Sequence, residues 1–535
     1  KYKQLEPALI VCYVLQIARN KMFTEQLFYV FKRFLSSNVR NNIKCEWSEP
    51  VGYKTNINIY NPTIKCVVPL ILKNKDVLTW YACGPTVYDS AHIGHAVTYV
   101  KSDIIRRIIN QFFNIDVVMA MCITDIDDKI IQRAQENDTT VQNLTKHYED
   151  EFFNDMKQLN ILPPTLYCRV TDHIPDIINF IQNILDKGMA YQTDDGSIYF
   201  DTSKCERYVE VEEESIENKS NSYKKAPSDF SLWKAAKEDE PSWPCPWGSG
   251  RPGWHIECST IASMLFGNSI DIHSGGIDLA FPHHENEETQ SRCYHNTNQW
   301  VNYWLRIGHL FLRGDVKMSK SLKNTVSVQE FLEQYTANQF RMLCLLSEYR
   351  HGIEFAPDVI HKAVTTLESI ENFIGDCDNY VKGRHEFGHI DESSLLKCLS
   401  ETKDAVNSFL VNDFNTAEAM HSIIKLVKLG NKMLNDKYVA ETRSTAAVGA
   451  VASYITNTMT KLGISKSVAI DDIKLNGIID EFVQFRTVIR AKAIAQNPKD
   501  KEVLSACDEI RSKLQTYGIS LKDTKQNSTW VMKRY

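Results

Sequence analysis

Apolar and polar positions first indicate regular structure early in the chain. Val77–Ala82 is a short apolar run that ends at a turn containing Gly84, which is typical of a buried strand. Apolar side chains recur at helical spacing over residues 97–108, and residues 115–123 form a second apolar run. Strand, turn, helix and strand predict a βαβ unit, and therefore a parallel nucleotide-binding sheet.

The pattern changes along the remaining chain. Residues 130–159 have the periodicity of a helix, whereas residues 204–229 are polar and acidic, as expected for an exposed stretch within an insertion. Beyond about residue 360 the periodicity is almost wholly helical. Asn415 followed by Glu418 predicts a variant of the capping box at the start of one of these helices.

Composition limits the class of protein. A chain of 535 residues should hold several domains, and 43% hydrophobic with 24% charged residues is ordinary for a globular protein. The net charge of −6 gives no overall sign of nucleic-acid binding, so any RNA contact must use local basic patches. Fourteen cysteines without a C-x-x-C pair indicate a reducing compartment, so we expect a cytoplasmic protein.

The N-terminal segment leaves a second location open. Residues 19–44 carry six basic residues against one acid and an apolar face at helical spacing, which is compatible with an organelle presequence. An appended helix or a disordered extension is the simpler interpretation. No apolar run reaches the roughly 18 residues that a membrane span needs, so we expect no membrane association.

Two histidines mark a candidate phosphate site. His92 and His95 lie where the predicted helix begins. A helix N-terminus offers free N–H groups and a positive dipole end to phosphates, and two imidazoles there can donate hydrogen bonds to a triphosphate. Gly94 between them would let a nucleotide approach the backbone. Alone, the H-x-G-H pattern is more often structural than functional.

Two lysines form a second candidate phosphate signature. Lys317 and Lys320 bracket Met318 and Ser319 in a short polar loop that follows an apolar run. Their charges can neutralise the β- and γ-phosphates as pyrophosphate leaves. A solvated charged loop is the alternative, but both signatures in this order favour an ATP-activating enzyme.

A metal site is predicted from three distant segments. His283 and Glu287 are spaced i and i+4, so a helix would place both on one face, where such a pair can bind one metal together with Cys83 and Cys258. Taken singly, the histidine and the glutamate would fit an exposed helix face, and the cysteines would fit a hydrophobic core.

Residues 83–89, 253–259 and 278–287, together with both phosphate signatures, resemble the cysteinyl-tRNA synthetases, a family of class I aminoacyl-tRNA synthetases. The resemblance extends from roughly residue 65 to the C-terminus and is dense in the catalytic half. It implies the following roles: zinc ligands Cys83, Cys258, His283 and Glu287; ATP binding and catalysis by His92, Gly94, His95, Lys317 and Lys320; and contacts with substrate cysteine from Thr124, Trp254 and Asp278.

The implied chemistry explains why such an enzyme uses a metal. Zinc binds thiolates well and lowers a thiol pKa, so substrate cysteine can bind through sulfur. A site built around a group that the competitor serine lacks can discriminate by about 10⁴-fold or more. The resemblance thus implies one zinc ion per chain, Mg²⁺ with ATP, and the substrates L-cysteine, ATP and tRNA(Cys). We expect a monomer.

Two residues depart from the family's pattern. Ser274 replaces the first of three glycines that usually follow the histidine of the Asp-Ile-His segment. The family usually continues the lysine signature with Leu-Gly-Asn, whereas this chain has Leu-Lys-Asn, with Lys323 in place of the glycine. Neither change removes a functional side chain.

The predicted fold is α/β, with a Rossmann-type parallel-sheet catalytic domain that contains an insertion, an all-helical bundle and a small C-terminal anticodon-binding region. The predicted divisions are an N-terminal extension that is a candidate targeting segment (1–64), the first half of the Rossmann domain (65–166), a connective insertion (167–248), the second Rossmann half (249–300), a stem-contact region with the lysine loop (301–360), the helical bundle (361–475) and the anticodon-binding region (476–535).

Local positive charge lies at the C-terminal end. Residues 486–534 contain eleven Lys/Arg and five Asp/Glu. On composition alone, Arg486, Arg490 and Lys492 fit an ordinary solvated face. The resemblance implies instead that basic residues here hold phosphates and that Trp530 stacks on, or packs beneath, an unpaired base.

The expected reaction has two steps. Cysteine and Mg·ATP give cysteinyl-adenylate and pyrophosphate, and the cysteinyl group then passes to the terminal ribose of its tRNA. One alternative is an ATP-dependent cysteine ligase of small-thiol biosynthesis, which shares the zinc and ATP motifs but would lack the long helical and basic C-terminal half. Another is a non-catalytic zinc- or RNA-binding protein, against which the intact histidines and lysines argue.

Overall fold

The computed structural model describes residues 47–205, 208, 223–312, 316–317, 325–383, 389–436, 443–465, 472–496, 498–517, 519–523 and 528–532. They fall into two compact units, of which the first ends at Ile464 and the second begins at Ser465. The basic segment 19–44 and most of the acidic stretch 204–229 lie outside the described residues.

The described strands of the first unit form four sheets. These strands are β1 (Tyr53–Asn61), β2 (Cys66–Leu72), β3 (Val77–Ala82), β4 (Asp116–Ile123), β5 (Leu166–Arg169), β6 (Ala190–Gln192), β7 (Ile198–Phe200), β8 (Phe230–Ala235), β9 (Gly250–Pro252), β10 (Ile270–Gly276), β11 (Val301–Ile307), β12 (Leu310–Leu312), β13 (Val316–Lys317) and β14 (Ile353–Phe355).

Helices cover the sheets and make up most of the chain after β14. The described helices of the first unit are α1 (Ile93–Gln111), α2 (Asp128–Glu136), α3 (Val141–Gln158), α4 (Ile174–Asp186), α5 (Trp254–Phe266), α6 (His283–His295), α7 (Val328–Gln334), α8 (Ala337–Leu345), α9 (Pro357–Lys382), α10 (Glu392–Val411), α11 (Thr416–Leu434) and α12 (Thr445–Lys461).

The predicted βαβ unit is confirmed as β3, α1 and β4, at the centre of a five-stranded parallel sheet in the order β11-β10-β3-β4-β5. The chain leaves β3 toward β4 on one side, and β10 lies on the other side of β3, so strand order reverses between β3 and β10. Ligands of open parallel sheets bind at the carboxyl ends of strands beside such a reversal. Here the two strand ends are joined, because the Cys83 amide donates to the Ser274 carbonyl at 3.0 Å.

The helical structure expected over residues 130–159 is confirmed for most of this stretch, but it is divided between two helices, α2 and α3. Asp138 between them has a left-handed φ of 48°, which a continuous helix cannot contain. Thr140 then caps α3 by accepting a hydrogen bond from the Asn143 amide. The apolar spacing keeps a helical period across this turn, so the sequence pattern did not reveal where α2 ends and α3 begins.

Between β5 and α5 an antiparallel sheet forms from β6, β7, β8 and β9 and is held to α2 by charge. Asp128 pairs with both Lys234 of β8 and Arg251 of β9, and Arg251 is buried. These pairs join the antiparallel sheet to α2, the helix that follows β4.

The bundle α9–α12 confirms the helical pattern predicted after residue 360 for the first unit. Asn415 caps α11 by accepting from the Glu418 amide at 3.1 Å, as its sequence position predicted. None of the helices in the described ranges has the length and apolar character that a membrane crossing requires.

The second unit contains helices α13 (Asp472–Ala495) and α14 (Lys501–Thr516) and a hairpin of β15 (Ile519–Asp523) and β16 (Ser528–Met532). The helical prediction missed this hairpin, whose strands are only five residues long. The solvated face predicted from composition is wrong at Arg486, which is 2% exposed. Its guanidinium donates two hydrogen bonds to Asp523, at 2.8 and 3.1 Å.

Candidate metal centre and phosphate site

Four residues from distant segments converge at the carboxyl ends of β3 and β10. The ligand atoms of Cys83, Cys258, His283 and Glu287 all lie within 4.8 Å of one another. Cys83 follows β3, Cys258 lies in α5, and His283 and Glu287 lie one turn apart at the start of α6. The fold therefore brings together the four side chains that the sequence predicts as metal ligands.

Short contacts orient the carboxylate of Glu287, which is fully buried. Its Oε1 atom lies 2.9 Å from His283 Nε2, and its Oε2 atom lies 2.8 Å from His273 Nε2. The Cys83 thiol lies 3.8 Å from Oε1. Buried carboxylates persist where they are paired or bind a metal, so the two imidazoles account for this one in the core.

Charges within the cluster shift the protonation of its members. Burial acts to raise the pKa of Glu287, but the charges of His273 and His283 hold it well below its ordinary value. Burial acts to lower the pKa of His283, yet the Glu287 charge raises it to about 10. A hydrogen bond with Cys258 acts to lower the pKa of Cys83, whereas burial and the Glu287 charge raise it to about 12. A divalent cation at this point would reverse the balance and favour thiolates.

Three histidines that the sequence analysis did not predict surround the cluster. His273 contacts Glu287, His255 Nδ1 lies 2.9 Å from His283 Nδ1, and His284 Nε2 lies 3.6 Å from Cys83 Sγ. His255 is three residues from Cys258 on one helix, a spacing that could have indicated a shared face. His273 reaches the site only through sheet pairing, which no local pattern reveals.

The cluster fits a soft or borderline cation such as zinc. The Nδ1 atoms of His273 and His284 are buried and have no hydrogen-bond partner among the described residues. A second set of four, Cys83, His273, His284 and Glu287, also has its ligand atoms within 4.8 Å. The predicted set contains two sulfur donors and the second set contains one, so ligand softness favours the predicted set for zinc.

The residues predicted to contact substrate cysteine differ in their surroundings. Trp254 is 38% exposed and stacks on the His283 ring with 4.2 Å between centroids. Thr124 is buried, and its hydroxyl donates to Glu257 at 3.4 Å. Asp278 is half exposed and lies 3.6 Å from His309 Nε2. Trp254 thus touches a predicted metal ligand directly, while Thr124 lies against the helix that carries Cys258.

The two signature histidines lie at the N-terminus of α1, as predicted. The rings of His92 and His95 stack with 3.8 Å between centroids. A Cβ atom on Gly94 would lie 2.8 Å from the His92 ring, so glycine is required there by the neighbouring ring as well as by any nucleotide.

The lysine loop is described only at its ends. Lys317 belongs to β13, which pairs with β12, while residues 318–324, including Lys320 and Lys323, lie outside the described residues. At the far end the Ile93 amide donates to the Val326 carbonyl at 3.0 Å. The chain therefore returns from the loop directly beside the histidine signature.

The serine that departs from the family's glycine pattern has its own partner. Ser274 is buried, and its hydroxyl accepts a hydrogen bond from Trp80 Nε1 at 2.7 Å. The glycines that follow it are sterically constrained, because a Cβ atom on Gly275 would lie 2.9 Å from the His284 ring. The extra hydroxyl is therefore accommodated within the sheet, and the close-packed glycine position is retained.

Comparison with known proteins gives the same family throughout. Residues 70–365 match the model of the class I (C) tRNA synthetase catalytic domain. The chain is 44% identical over 521 residues to the probable mitochondrial cysteine–tRNA ligase of Xenopus tropicalis, covering 91% of each. It is 37% identical to the cytoplasmic cysteine–tRNA ligase of Dictyostelium discoideum, covering 89% of this chain and 78% of that one. It is 36% identical to the cysteine–tRNA ligase of Methanococcus aeolicus, covering 86% of this chain and 96% of that one.

Solved structures agree with this fold at low sequence identity. Methionyl-tRNA synthetase of Mycobacterium tuberculosis, in complex with methionyl-adenylate, matches 72% of this chain and 89% of its own, with a TM-score of 0.52 and 14% identity. Leucyl-tRNA synthetase of Agrobacterium radiobacter, in a ternary complex with tRNA, matches 78% of this chain and 84% of its own, with a TM-score of 0.52 and 10% identity. The chain belongs to the cysteine–tRNA ligases, a family of class I aminoacyl-tRNA synthetases.

Proposed function

We propose that this chain activates L-cysteine with ATP as cysteinyl-adenylate and transfers the cysteinyl group to the 3′ end of tRNA(Cys). The proposal rests above all on the four ligand atoms within 4.8 Å at the carboxyl ends of β3 and β10. In the first step, the substrate cysteine would bind between the thiol-binding cluster and the phosphate-binding N-terminus of α1.

One zinc ion per chain is proposed, held by Cys83, Cys258, His283 and Glu287. When bound, it supplies a Lewis acid that accepts a substrate thiolate far better than the hydroxyl of serine. The nearby Nδ1 contact of His255 would fix the orientation of the His283 ring, because a ligating imidazole is held by the partner of its other nitrogen. The donor types, two thiols with an imidazole and a carboxylate, support the assignment.

The proposed roles of the pocket residues follow from position. Trp254 stacks on His283 and would exclude water from the substrate side chain. Thr124, at the end of β4, would orient the amino acid from the opposite wall. Asp278 would accept a hydrogen bond from the substrate ammonium group, in place of its contact with His309.

Phosphate chemistry is assigned to both signatures. His92, Gly94 and the α1 N-terminus would hold the triphosphate of Mg·ATP, and His95 would donate to oxygens on which charge develops during attack at the α-phosphorus. Lys317 and Lys320 would neutralise the departing pyrophosphate. The hydrogen bond between Ile93 and Val326 supports a loop that acts beside these histidines.

The second unit is proposed to bind the anticodon end of tRNA. Lys492 is exposed and would contact phosphate, as would Arg490, which is partly exposed and lies 3.8 Å from Asp523. Arg486 is buried and bonded to Asp523. Trp530 packs with Ile479 and Val483 and would support an unpaired base from beneath. The predicted domain divisions and a monomeric state belong to the same proposal.

Location is proposed as cytoplasmic, with a mitochondrial alternative. The alternative is favoured by the basic segment 19–44 and by the name of the Xenopus relative. Subcellular fractionation of cells that produce the natural protein tests it, since recovery with mitochondria would select the organelle and recovery in the cytosol the cytoplasm.

Cysteine-dependent exchange of labelled pyrophosphate into ATP tests the first step. We expect exchange with cysteine and without tRNA, little exchange with serine, and a loss of roughly 10²–10³-fold in Lys320→Ala, because that lysine acts on transition-state charge. Lys323→Ala is the matched control, since it removes the same charge three residues away and should retain activity.

The outcomes separate the alternatives. Absence of exchange in intact protein would favour a non-catalytic binding protein. Exchange without charging of any tRNA would favour the small-thiol ligase. Equal rates in Lys320→Ala and the wild type would remove the lysine loop from the mechanism.

A further inference from the structure

A cavity of about 500 Å³ lies between the central sheet and the helices α1 and α3. Its walls come from the sheet and from α1 and α3, with Tyr99, Met119, Met121, Phe152 and Met156 among them. Its volume lies within the range of about 300–1,000 Å³ that is usual for small-ligand sites. Neither the thiol site nor the phosphate histidines account for it.

The cavity runs between two different surroundings. At its inner end are Cys83 and Gly275, at the strand ends that carry the proposed metal and nucleotide sites. At its outer end are Leu162 and Tyr167, whose side chains are 37% and 41% exposed. The cavity is therefore a mainly apolar passage that begins at the protein surface and ends beneath the catalytic edge of the sheet.

Two cations line the outer end without acidic partners. The Arg106 guanidinium donates through one nitrogen to the carbonyls of Leu162 and Pro163, and neither Arg106 nor Lys157 forms an ion pair with a carboxylate among the described residues. By contrast, the neighbouring Arg107 pairs with Asp103 at 2.8 Å. Asp103 also lines the cavity, but its carboxylate pairs with Arg107 and Arg341. Arg106 and Lys157 at the opening of an apolar cavity therefore complement an anion that carries an apolar chain.

We propose that this cavity binds a single free fatty-acid carboxylate, with the hydrocarbon chain inside and the carboxylate at Arg106 and Lys157. The aromatic and methionine side chains of the wall suit a flexible chain, because thioethers adapt to irregular apolar shapes. The binding proposal does not depend on the proposed function. The inner end nevertheless places the chain terminus beside Cys83, so occupancy is positioned to affect the metal cluster.

Titration calorimetry of the full-length protein with octanoate, decanoate and dodecanoate tests the proposal. We expect one site per chain and an affinity that rises roughly fourfold per added methylene, as for burial of each group in an apolar interior. Dodecanol and dodecylamine should bind at least about tenfold more weakly than dodecanoate, since they lack the anion. Equal binding of all three head groups, or an affinity independent of chain length, would overturn the proposal.

Paired variants locate the site. Ser102, in the cavity wall on α1, becomes Phe to fill the space or Ala to leave it open. We expect Ser102→Phe to abolish dodecanoate binding and Ser102→Ala to retain it. Lys157→Gln should weaken binding severalfold, whereas Lys146→Gln, an exposed charge on the same helix, should not.

Two further readouts keep the result decisive. A melting temperature equal to that of the wild type shows that a variant is folded. If Ser102→Phe does not fold, Lys157→Gln and its control Lys146→Gln still test the site. Vesicles of anionic phospholipid distinguish the two sources of an acyl chain. Binding to vesicles without binding to free dodecanoate, or wild-type affinity in Lys157→Gln and Ser102→Phe, would contradict a fatty-acid site.

Discussion

The first and second units each bury a polar cluster, and the two clusters are balanced differently. In the first unit, Glu287 is fully buried among two thiols and several imidazoles, and two imidazole nitrogens lack partners among the described residues. In the second unit, Arg486 is 2% exposed and donates to Asp523 through two nitrogens and to the Cys507 carbonyl through the third.

The difference separates a functional cluster from a structural one. The guanidinium of Arg486 and the carboxylate of Asp523 satisfy each other, so that cluster needs no further component. The metal cluster instead gathers lone pairs of sulfur, nitrogen and oxygen that repel one another unless a proton or cation lies between them. Convergence of four metal-binding side chains, beside histidine nitrogens that have no partner among the described residues, therefore favours a ligand site, whereas the pair of Arg486 and Asp523 is complete without a ligand.

Removing one proposed ligand from the cluster around Glu287 should have the largest effect on activity. Cys258→Ala should reduce zinc from one ion per chain toward none and slow cysteine activation by more than about a hundredfold, because zinc affinity depends on its complete ligand set. Elemental analysis and pyrophosphate exchange measure both. Cys398→Ala, a buried thiol in the bundle, is the control. Full zinc content and activity in Cys258→Ala would make this cluster structural.

Breaking the ion pair between Arg486 and Asp523 should have a smaller effect, on stability rather than on cysteine activation. Arg486→Met leaves Asp523 without its main partner and should destabilise the second unit by about 3 kcal/mol, lowering aminoacylation while cysteine activation and zinc content persist. Urea unfolding of the variant and the wild type, followed by circular dichroism, checks this. Arg490→Met is the matched control, because Arg490 lies 3.8 Å from the same carboxylate and Arg486 still satisfies it. A loss of cysteine activation in Arg486→Met would show that the two clusters are not independent.

A buried acid with a neutral partner should show the smallest effect. Asp155 is 1% exposed and accepts a hydrogen bond from Gln329. Burial raises its pKa from 3.8 to about 6, so the folded state holds a proton that the unfolded state has lost between those values. This acid therefore lowers stability as pH rises through that window.

Asp155→Asn should accordingly be more stable than the wild type by about 1–2 kcal/mol at pH 7, and the difference should vanish below about pH 4. Asparagine keeps the acceptor for Gln329 and removes the charge. Thermal melting across pH measures the difference. A variant that is less stable than the wild type at pH 7 would show that the ionised carboxylate stabilises the fold, contrary to this account.

Sequence patterns predicted the elements whose signals are local. The strand Val77–Ala82, the helix after His92 and the i, i+4 pair His283 and Glu287 each depend on spacing within one segment, and the structure contains all three. The break near Asp138 escaped prediction because a left-handed residue and a new cap left the apolar period almost unchanged.

Features that depend on distant segments could not be predicted in the same way. His273 reaches Glu287 because β10 ends beside α6, and Arg486 is buried because Asp523 returns on a hairpin. Composition described only the charge of Arg486 and could not show its partner. The family resemblance supplied the four proposed metal ligands, whereas the histidines around them required the three-dimensional arrangement.

Cobalt substitution tests the central claim most directly, that this cluster binds a metal that recognises the substrate thiol. Zinc has no d–d absorption, whereas cobalt in the same ligands reports sulfur coordination through its charge-transfer band. Titration of the cobalt-loaded protein with L-cysteine should strengthen that band in proportion to the occupied site, and L-serine at equal concentration should leave it unchanged. Equal spectra with both amino acids, or no change with either, would contradict thiol recognition at Cys83, Cys258, His283 and Glu287.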